Sequence, residues 1–244
     1  MVTYNNTSDA TTIINRAAAE VGLTPVTNPY STADAAFTQL TYLLNSVGQE
    51  LVRSHNWNFL RRRATFTTVN AQANYAYETD QLRFYNNTFW DETDDEPLLG
   101  PLSPQEWATL ESEAVAAPAE TYFRVFDGEI QIYPTPVTSD LKDIAYEYLA
   151  NSWVLLADNT TYAREVANND DKVLFDELLV VQALKVKFLI AKGLDATAAQ
   201  DDYNQTFELL TSAEQPSRDI HIGNSSGYPY LDPITNVRDT GYGG

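Results

Sequence analysis

The sequence predicts an α+β fold: a four-helix bundle built from N- and C-terminal helical hairpins, with an inserted antiparallel β region and an extended C-terminal tail. Three observations predict it. Near both ends of the chain, apolar residues recur at three- and four-residue steps, as one face of a helix requires. Between Ala64 and Tyr148 that period gives way to alternation and to β-branched or aromatic runs. Beyond Pro216 glycines, prolines and scattered aromatics show no period. The expected divisions are 1–63 for the first hairpin, 64–150 for the β-rich region, 151–215 for the second hairpin and 216–244 for the tail.

In chain order, Thr7 or Ser8 is placed to cap a first helix whose face is Ile13, Ile14, Ala17, Ala18 and Val21, ended by Gly22. Ser31 or Thr32 caps a second, carried by Phe37, Leu40, Leu44, Val47, Leu51 and Val52 to about His55. In the β region, Thr65 to Val69 and the alternating Tyr75, Tyr77, Leu82 and Phe84 read as strands. Ser103-Pro104-Gln105-Glu106 reads as a capping box opening a short helix. The clearest hairpin is Tyr122 to Tyr133, with Asp127-Gly128 as a type I′ turn. Leu141 to Tyr148 alternates as a strand with one buried face. The second helical hairpin places Leu174, Leu178, Val181, Leu184, Phe188 and Ala191 on one stripe, ends at Gly193, and restarts at Asp195 with Ala198, Ala199, Tyr203, Phe207 and Leu210. Neither hairpin covers its own apolar stripe, so the two must pack on each other.

Composition narrows the function. The formal charge of -19 gives a surface that repels phosphate, which argues against tight nucleic-acid binding. There is no cysteine, so disulfides, thiolate zinc sites and cysteine nucleophiles are excluded, and assembly in a reducing cytoplasm fits. No run approaches the roughly 18 apolar residues of a membrane helix, and no basic-then-apolar leader is expected at the N-terminus. Aromatics make up 12% of the chain, a residue class enriched at protein interfaces.

Chemistry has few footholds. The two histidines, His55 and His221, lie far apart in sequence. No metal-ligand spacing, nucleophile elbow or phosphate-binding glycine loop occurs. Asp94-Asp95-Glu96 and Asp170-Asp171 are candidates for a divalent cation or for acid–base work, against the plainer reading of solvated surface. Arg61, Arg62 and Arg63 are candidates for inter-subunit or phosphate contacts; alternatively they pair with carboxylates. No catalytic residue, metal or cofactor is expected.

Three stretches carry a family resemblance: Thr12 to Val26, Ala33 to Trp57 with its ending Ser54-His55-Asn56-Trp57-Asn58-Phe59, and the hairpin Phe123 to Pro136. In their order they resemble the head-to-tail adaptors of short-tailed bacteriophages, the tail tubular protein A or gatekeeper-like connectors. The resemblance implies a structural virion protein in the tail or neck. It implies a homo-oligomeric ring, commonly of about twelve copies, with the portal protein above, a tail nozzle or fibre protein below and DNA passing through the lumen without specific binding. Twelve copies would carry roughly -230, which discourages DNA from adhering. In that setting the tail docks on the portal or a neighbour through Tyr228, Tyr230, Leu231 and Tyr242. Two further readings stay open: an acidic glycan-binding or glycoside-hydrolysing tail protein, and another tail ring or tail terminator.

Overall fold

The structure, a computed structural model, describes residues 7–112 and 120–214. The elements in chain order are β1 (Ser8–Asp9), α1 (Ala10–Glu20), α2 (Ala35–Ser54), a 3-10 turn (Asn58–Leu60), β2 (Arg61–Thr67), β3 (Asn74–Ala76), β4 (Gln81–Phe84), β5 (Trp90–Asp91), β6 (Glu96–Pro97) and α3 (Pro104–Ser112). There follow β7 (Tyr122–Phe126), β8 (Glu129–Tyr133), β9 (Asp143–Ala150), β10 (Val154–Leu155), β11 (Tyr162–Ala163), β12 (Lys172–Val173), α4 (Glu177–Ala191) and α5 (Thr197–Glu214).

Helix α4 is the centre of the helical side. It packs on α1, α2 and α5. Its buried residues, among them Leu179, Val180, Val181, Leu184 and Phe188, point to several sides, while Leu178 is exposed. A helix apolar nearly all round is one surrounded by its neighbours, so the single stripe expected through Leu178 and Ala191 is not what this helix presents. Aromatic rings knit its N-terminal end to the rest: Trp57 lies edge-on to Phe175 (5.4 Å) and Phe207 (6.1 Å), and its indole N–H donates to the Leu51 carbonyl at 2.6 Å. The motif Ser54 to Phe59 therefore forms a hub.

The α1 N-terminus is capped from far away. Asp9 makes no side-chain cap; instead Ala10 N–H donates to the Asp171 carbonyl (2.9 Å) and Thr11 N–H to that of Asn169 (3.2 Å). At α2 the cap is Asp34, whose carboxylate accepts from Ala36 N–H at 2.8 Å, rather than Ser31 or Thr32. Asp195 and the Ser103–Glu106 box cap as expected.

All the paired strands named here are antiparallel, and they form three sheets: β1-β12-β10-β11, then β2-β9-β5-β6 with β4 also on β9, then β3-β8-β7. β9 is the spine. One of its edges pairs with β2 from Arg61↔Leu149 to Thr67↔Asp143. The other takes β4 at Tyr148–Ala150 and β5 at Ile144–Ala145, end to end. Both faces of β9 are largely buried, since Ile144, Ala145, Tyr146, Tyr148 and Leu149 are each covered, and so the expected single buried face is corrected.

The expected four-helix bundle with an inserted β region is also corrected. Of the described residues 38% are helix and 23% strand, in five helices and twelve strands, so the sheets are too large a share to be an insert in a bundle. Two physical reasons account for it. Strands enter the helical side itself: β1 leads straight into α1 and pairs with β12 shortly before α4. In α5, moreover, only Ala199 is buried, so that helix lies on the outside of α4 rather than closing a bundle.

Candidate interaction surfaces

The arginine triplet on β2 meets carboxylates of its own chain. Alternation sends Arg61 and Arg63 to one face of the strand and Arg62 to the other. Arg61 pairs with Glu147 and lies over the Tyr85 ring, and Arg63 pairs with Glu92. Arg62 is half-buried, 2.6 Å from Asp80 and stacked 4.1 Å over Tyr162. Asp80 also accepts from Ser152 Oγ (2.6 Å) and the Tyr148 hydroxyl (2.9 Å). Burial, reinforced by the neighbouring Asp80 carboxylate, pushes the Tyr148 hydroxyl well above its usual range. Asp80 thus ties β2 to β9 and to Ser152 just beyond it, and sequence reasoning missed it: a lone aspartate between short strands carries no pattern.

The acidic run has an internal counter-ion. Asp91, Asp94 and Glu96 offer carboxylate oxygens within 4.8 Å of one another, a spacing that suits a cation. The Lys142 ammonium stands among them, 2.9 Å from Asp91, in contact with Asp94, 4.0 Å from Glu96 and 3.9 Å from Asp140. Burial lowers the affinity of that ammonium for its proton, yet hydrogen bonds to Asp94 and Asp91 more than offset it, and the net shift is upward. The lysine supplies the positive charge that a divalent ion would otherwise bring.

Asp171 is wholly buried and serves the fold. Its Oδ2 accepts from the N–H groups of Ala167 (2.9 Å) and Asn168 (2.8 Å). Asp170 is exposed. His55 packs edge-on to Trp57 and stands 3.9 Å from Glu214. His221 and the expected docking residues Tyr228, Tyr230, Leu231 and Tyr242 lie outside the described residues.

Two apolar surfaces remain open. The first is a groove between α2, α4 and α5, lined by Val47, Leu51, Ala183, Val186, Ile190 and Tyr203, with a volume of about 360 Å³. Ile190 is 61% exposed and Leu194 in the α4–α5 turn 57%. The second is at the far end of β2. There Thr68 N–H donates to Lys142 O and Ala71 N–H to Pro136 O, which brings the exposed Val69, Val137 and Leu141 to the same end of the sheet. Thr67, where β2 ends, lies roughly 20 Å along the strand from Arg61, where β2 leaves the helical core.

A comparison with known families settles the class. Residues 8–226 match the family described as SU10 adaptor protein. The chain belongs to that family. It is a family of structural phage adaptors, which makes the chain a virion component that interacts with head and tail parts of the particle. The match begins at Ser8, where β1 starts, and runs through α5, so the adaptor family shares both the helical and the sheet side. Tyr228, Tyr230, Leu231 and Tyr242 lie beyond it. No curated protein matches the chain. Among the described residues, no helix is long and apolar enough to cross a membrane.

Proposed function

We propose that this adaptor forms a ring between the portal and the tail, as a connector of the tail tubular protein A or gatekeeper type, with DNA passing through its lumen. Family membership supports an adaptor. The single observation that favours a bridging geometry is the pair of separated apolar surfaces, the helical groove and the Val69, Val137 and Leu141 end of the sheet, on one acidic chain. An adaptor needs faces for different neighbours, and exposed apolar patches of this kind mark interaction sites. The charge of -19 per copy suits a channel wall along which DNA slides. Within this reading the particle assembles in the host cytoplasm, and Tyr228, Tyr230, Leu231 and Tyr242 anchor the tail on the portal or an adjacent copy.

The test is electron microscopy of the full chain mixed with purified portal. The expected result is a ring, commonly twelve-fold, seated on the tail side of the portal. Val137→Asp should leave that complex intact while abolishing capture of the lower tail component. A chain lacking Pro216 to Gly244 should stay folded and bind portal more weakly. Failure of the intact chain to bind portal overturns the head-to-tail role.

A further inference from the structure

β2 is the longest strand with a free edge among the described residues. It pairs with β9 alone, in unbroken register, and contains no proline. Three bonds fix where its backbone groups point. Thr68 N–H donates to Lys142 O, so Thr68 faces β9. The carbonyls of Glu147 and Asp143, opposite Arg63 and Thr67, instead accept from Tyr85 and Glu92 N–H on the far side of β9. Bonding alternates along an antiparallel pair. Arg62, Ala64 and Phe66 therefore bond to β9, while Arg63, Thr65 and Thr67 turn their N–H groups and carbonyls away from the sheet. None of these backbone groups meets a partner among the described residues, and all three residues are exposed. Such a row is a template for one more strand.

The surroundings select what that strand carries. Thr65, Phe66, Thr67, Glu92 and Asp143 line a hollow of about 300 Å³ beside the edge. Glu92 is taken by Arg63, and Lys142 serves Asp91, Asp94, Glu96 and Asp140. Asp143 accepts from the Thr67 hydroxyl at 2.6 Å and has no cation among the described residues. An added strand lies roughly 4.8 Å beyond β2, so a lysine or arginine on it extends across β2 towards Asp143. On the other face, half-buried Phe66 stacks on Tyr75 at 4.7 Å and offers alternate side chains an apolar seat. Exposed Val69, Val137 and Leu141 stand at the end of the same edge. A second copy carries the same charge of -19 and is repelled, whereas a basic segment is attracted.

We propose that β2 receives an extended segment of a neighbouring tail component as an added strand, with lysine or arginine side chains towards Asp143 and apolar ones towards Phe66. Backbone bonds to Arg63, Thr65 and Thr67 supply affinity, and the alternating side chains supply specificity. This inference rests on the reading above, in which the sheet end meets a tail part. It names the mode of that contact and the chemistry of the segment.

The test uses the full chain and two labelled seven-residue peptides, one alternating lysine and valine, the other glutamate and valine. Fluorescence anisotropy follows binding, and NMR follows amide exchange. The lysine peptide should bind and slow exchange at Arg63, Thr65 and Thr67. Arg62, Ala64 and Phe66 should exchange slowly with and without it. The glutamate peptide should do neither. Thr65→Pro removes an edge donor without breaking a bond to β9, and should weaken binding roughly tenfold. Slow exchange at Ala64 and Phe66 checks that this variant is folded; if it is not, the exchange pattern of the parent decides. Asp143→Asn should weaken binding several-fold. Binding that ignores Thr65→Pro, or a glutamate peptide that binds as well, overturns the strand addition. So does protection of the three edge amides in the free chain as its concentration rises, which would assign the edge to a second copy. If the peptides fail while Val137→Asp still abolishes capture of the lower tail component, the strand addition falls and the head-to-tail reading stands. An intact chain that captures neither portal nor tail component overturns that reading, and the tail-borne occupant with it.

Discussion

The helical core and the sheet core of this adaptor solve the same burial problem with different residues. On the helical side, Ile13, Ile14, Leu40, Leu44, Leu51 and Leu184 are aliphatic and fully covered. On the sheet side the core is largely aromatic: Phe89 stacks on Phe123 at 4.0 Å and on Tyr146 at 4.7 Å, and Phe66 on Tyr75 at 4.7 Å. Aromatic rings bury much area per residue, and a tyrosine can keep its hydroxyl tied to polar groups at the rim. Tyr75 donates to Gln72 O, Tyr146 to Gln81 and Tyr148 to Asp80, and burial pushes the Tyr146 hydroxyl up to about 12. Thin sheets therefore gain a core without the depth that a packed helix layer provides. β9 belongs to both, with Leu149 in the helical core and Ile144, Tyr146 and Tyr148 in the other.

Whether the two cores melt as one is the first way to break that comparison. Leu184 sits in the middle of α4 with no exposure, so Leu184→Ala should destabilise by about 3–4 kcal/mol, the transfer loss plus a cavity. If β9 couples the cores, urea melts followed by fluorescence and by far-UV circular dichroism should shift together. Separate transitions would show that the sheet side folds on its own. Asp80→Ala attacks the coupling itself. It strands the Arg62 guanidinium and removes the acceptor of Tyr148 and Ser152, for an expected loss of about 2–3 kcal/mol. Two resolved transitions in this variant, with one in the parent, would identify Asp80 as the seam; an unchanged melt would deny it that role.

Gly48→Ala probes how tightly the helical side is built. A helix-interior glycine usually gains about 1 kcal/mol on becoming alanine. Here the new Cβ would stand 2.0 Å from Cζ2 of the buried Trp153 ring. Overpacking wins, and a net loss of about 1–2 kcal/mol is expected in thermal unfolding. A stabilised Gly48→Ala would mean that Trp153 moves freely, and the view of this core as rigid would fail.

What sequence made legible, and what it did not, follows the same division. The helical periods of α1 and α2, the Ser103–Glu106 box and the Asp127-Gly128 turn are local signals, and each lies where it was expected. Strands β10, β11 and β12 have two residues each, too short for any period, and only their pairing with one another and, through β12, with distant β1 gives them meaning. The expected bundle failed for that reason, and because the near-uniform apolarity of α4 reads as a stripe until its neighbours are known. The arginine triplet was legible as charge, but its partners Glu147, Asp80 and Glu92 are fixed by β2–β9 register and by loops. Lys142 among Asp91, Asp94 and Glu96 was hidden likewise, since some fifty residues separate them in the chain. The groove and the exposed Val69, Val137 and Leu141 have no sequence pattern, because exposure is a property of the assembled fold.

The smallest expected effect sharpens the comparison through pH. Glu177, at the start of α4, accepts from Ser8 Oγ and from Arg16 Nη1 at 2.7 Å, and these bonds hold its carboxyl below the ordinary glutamate range. A carboxyl lowered on folding contributes stability that is present above its unfolded value, near 4.3, and fades as pH falls through the folded one. Lys142 on the sheet side is shifted upward by its carboxylate partners, so its contribution stands across the neutral range and is lost on that side only in strong alkali. Glu177→Gln should thus lower stability at pH 7 by about 0.5–1 kcal/mol, with the gap to the parent closing as pH falls through and below the ordinary glutamate range. Denaturant titrations across that range measure it. A gap that stays constant with pH would mean that Glu177 acts through packing or a neutral hydrogen bond, and the link from β1 and α1 to α4 would not be ionic.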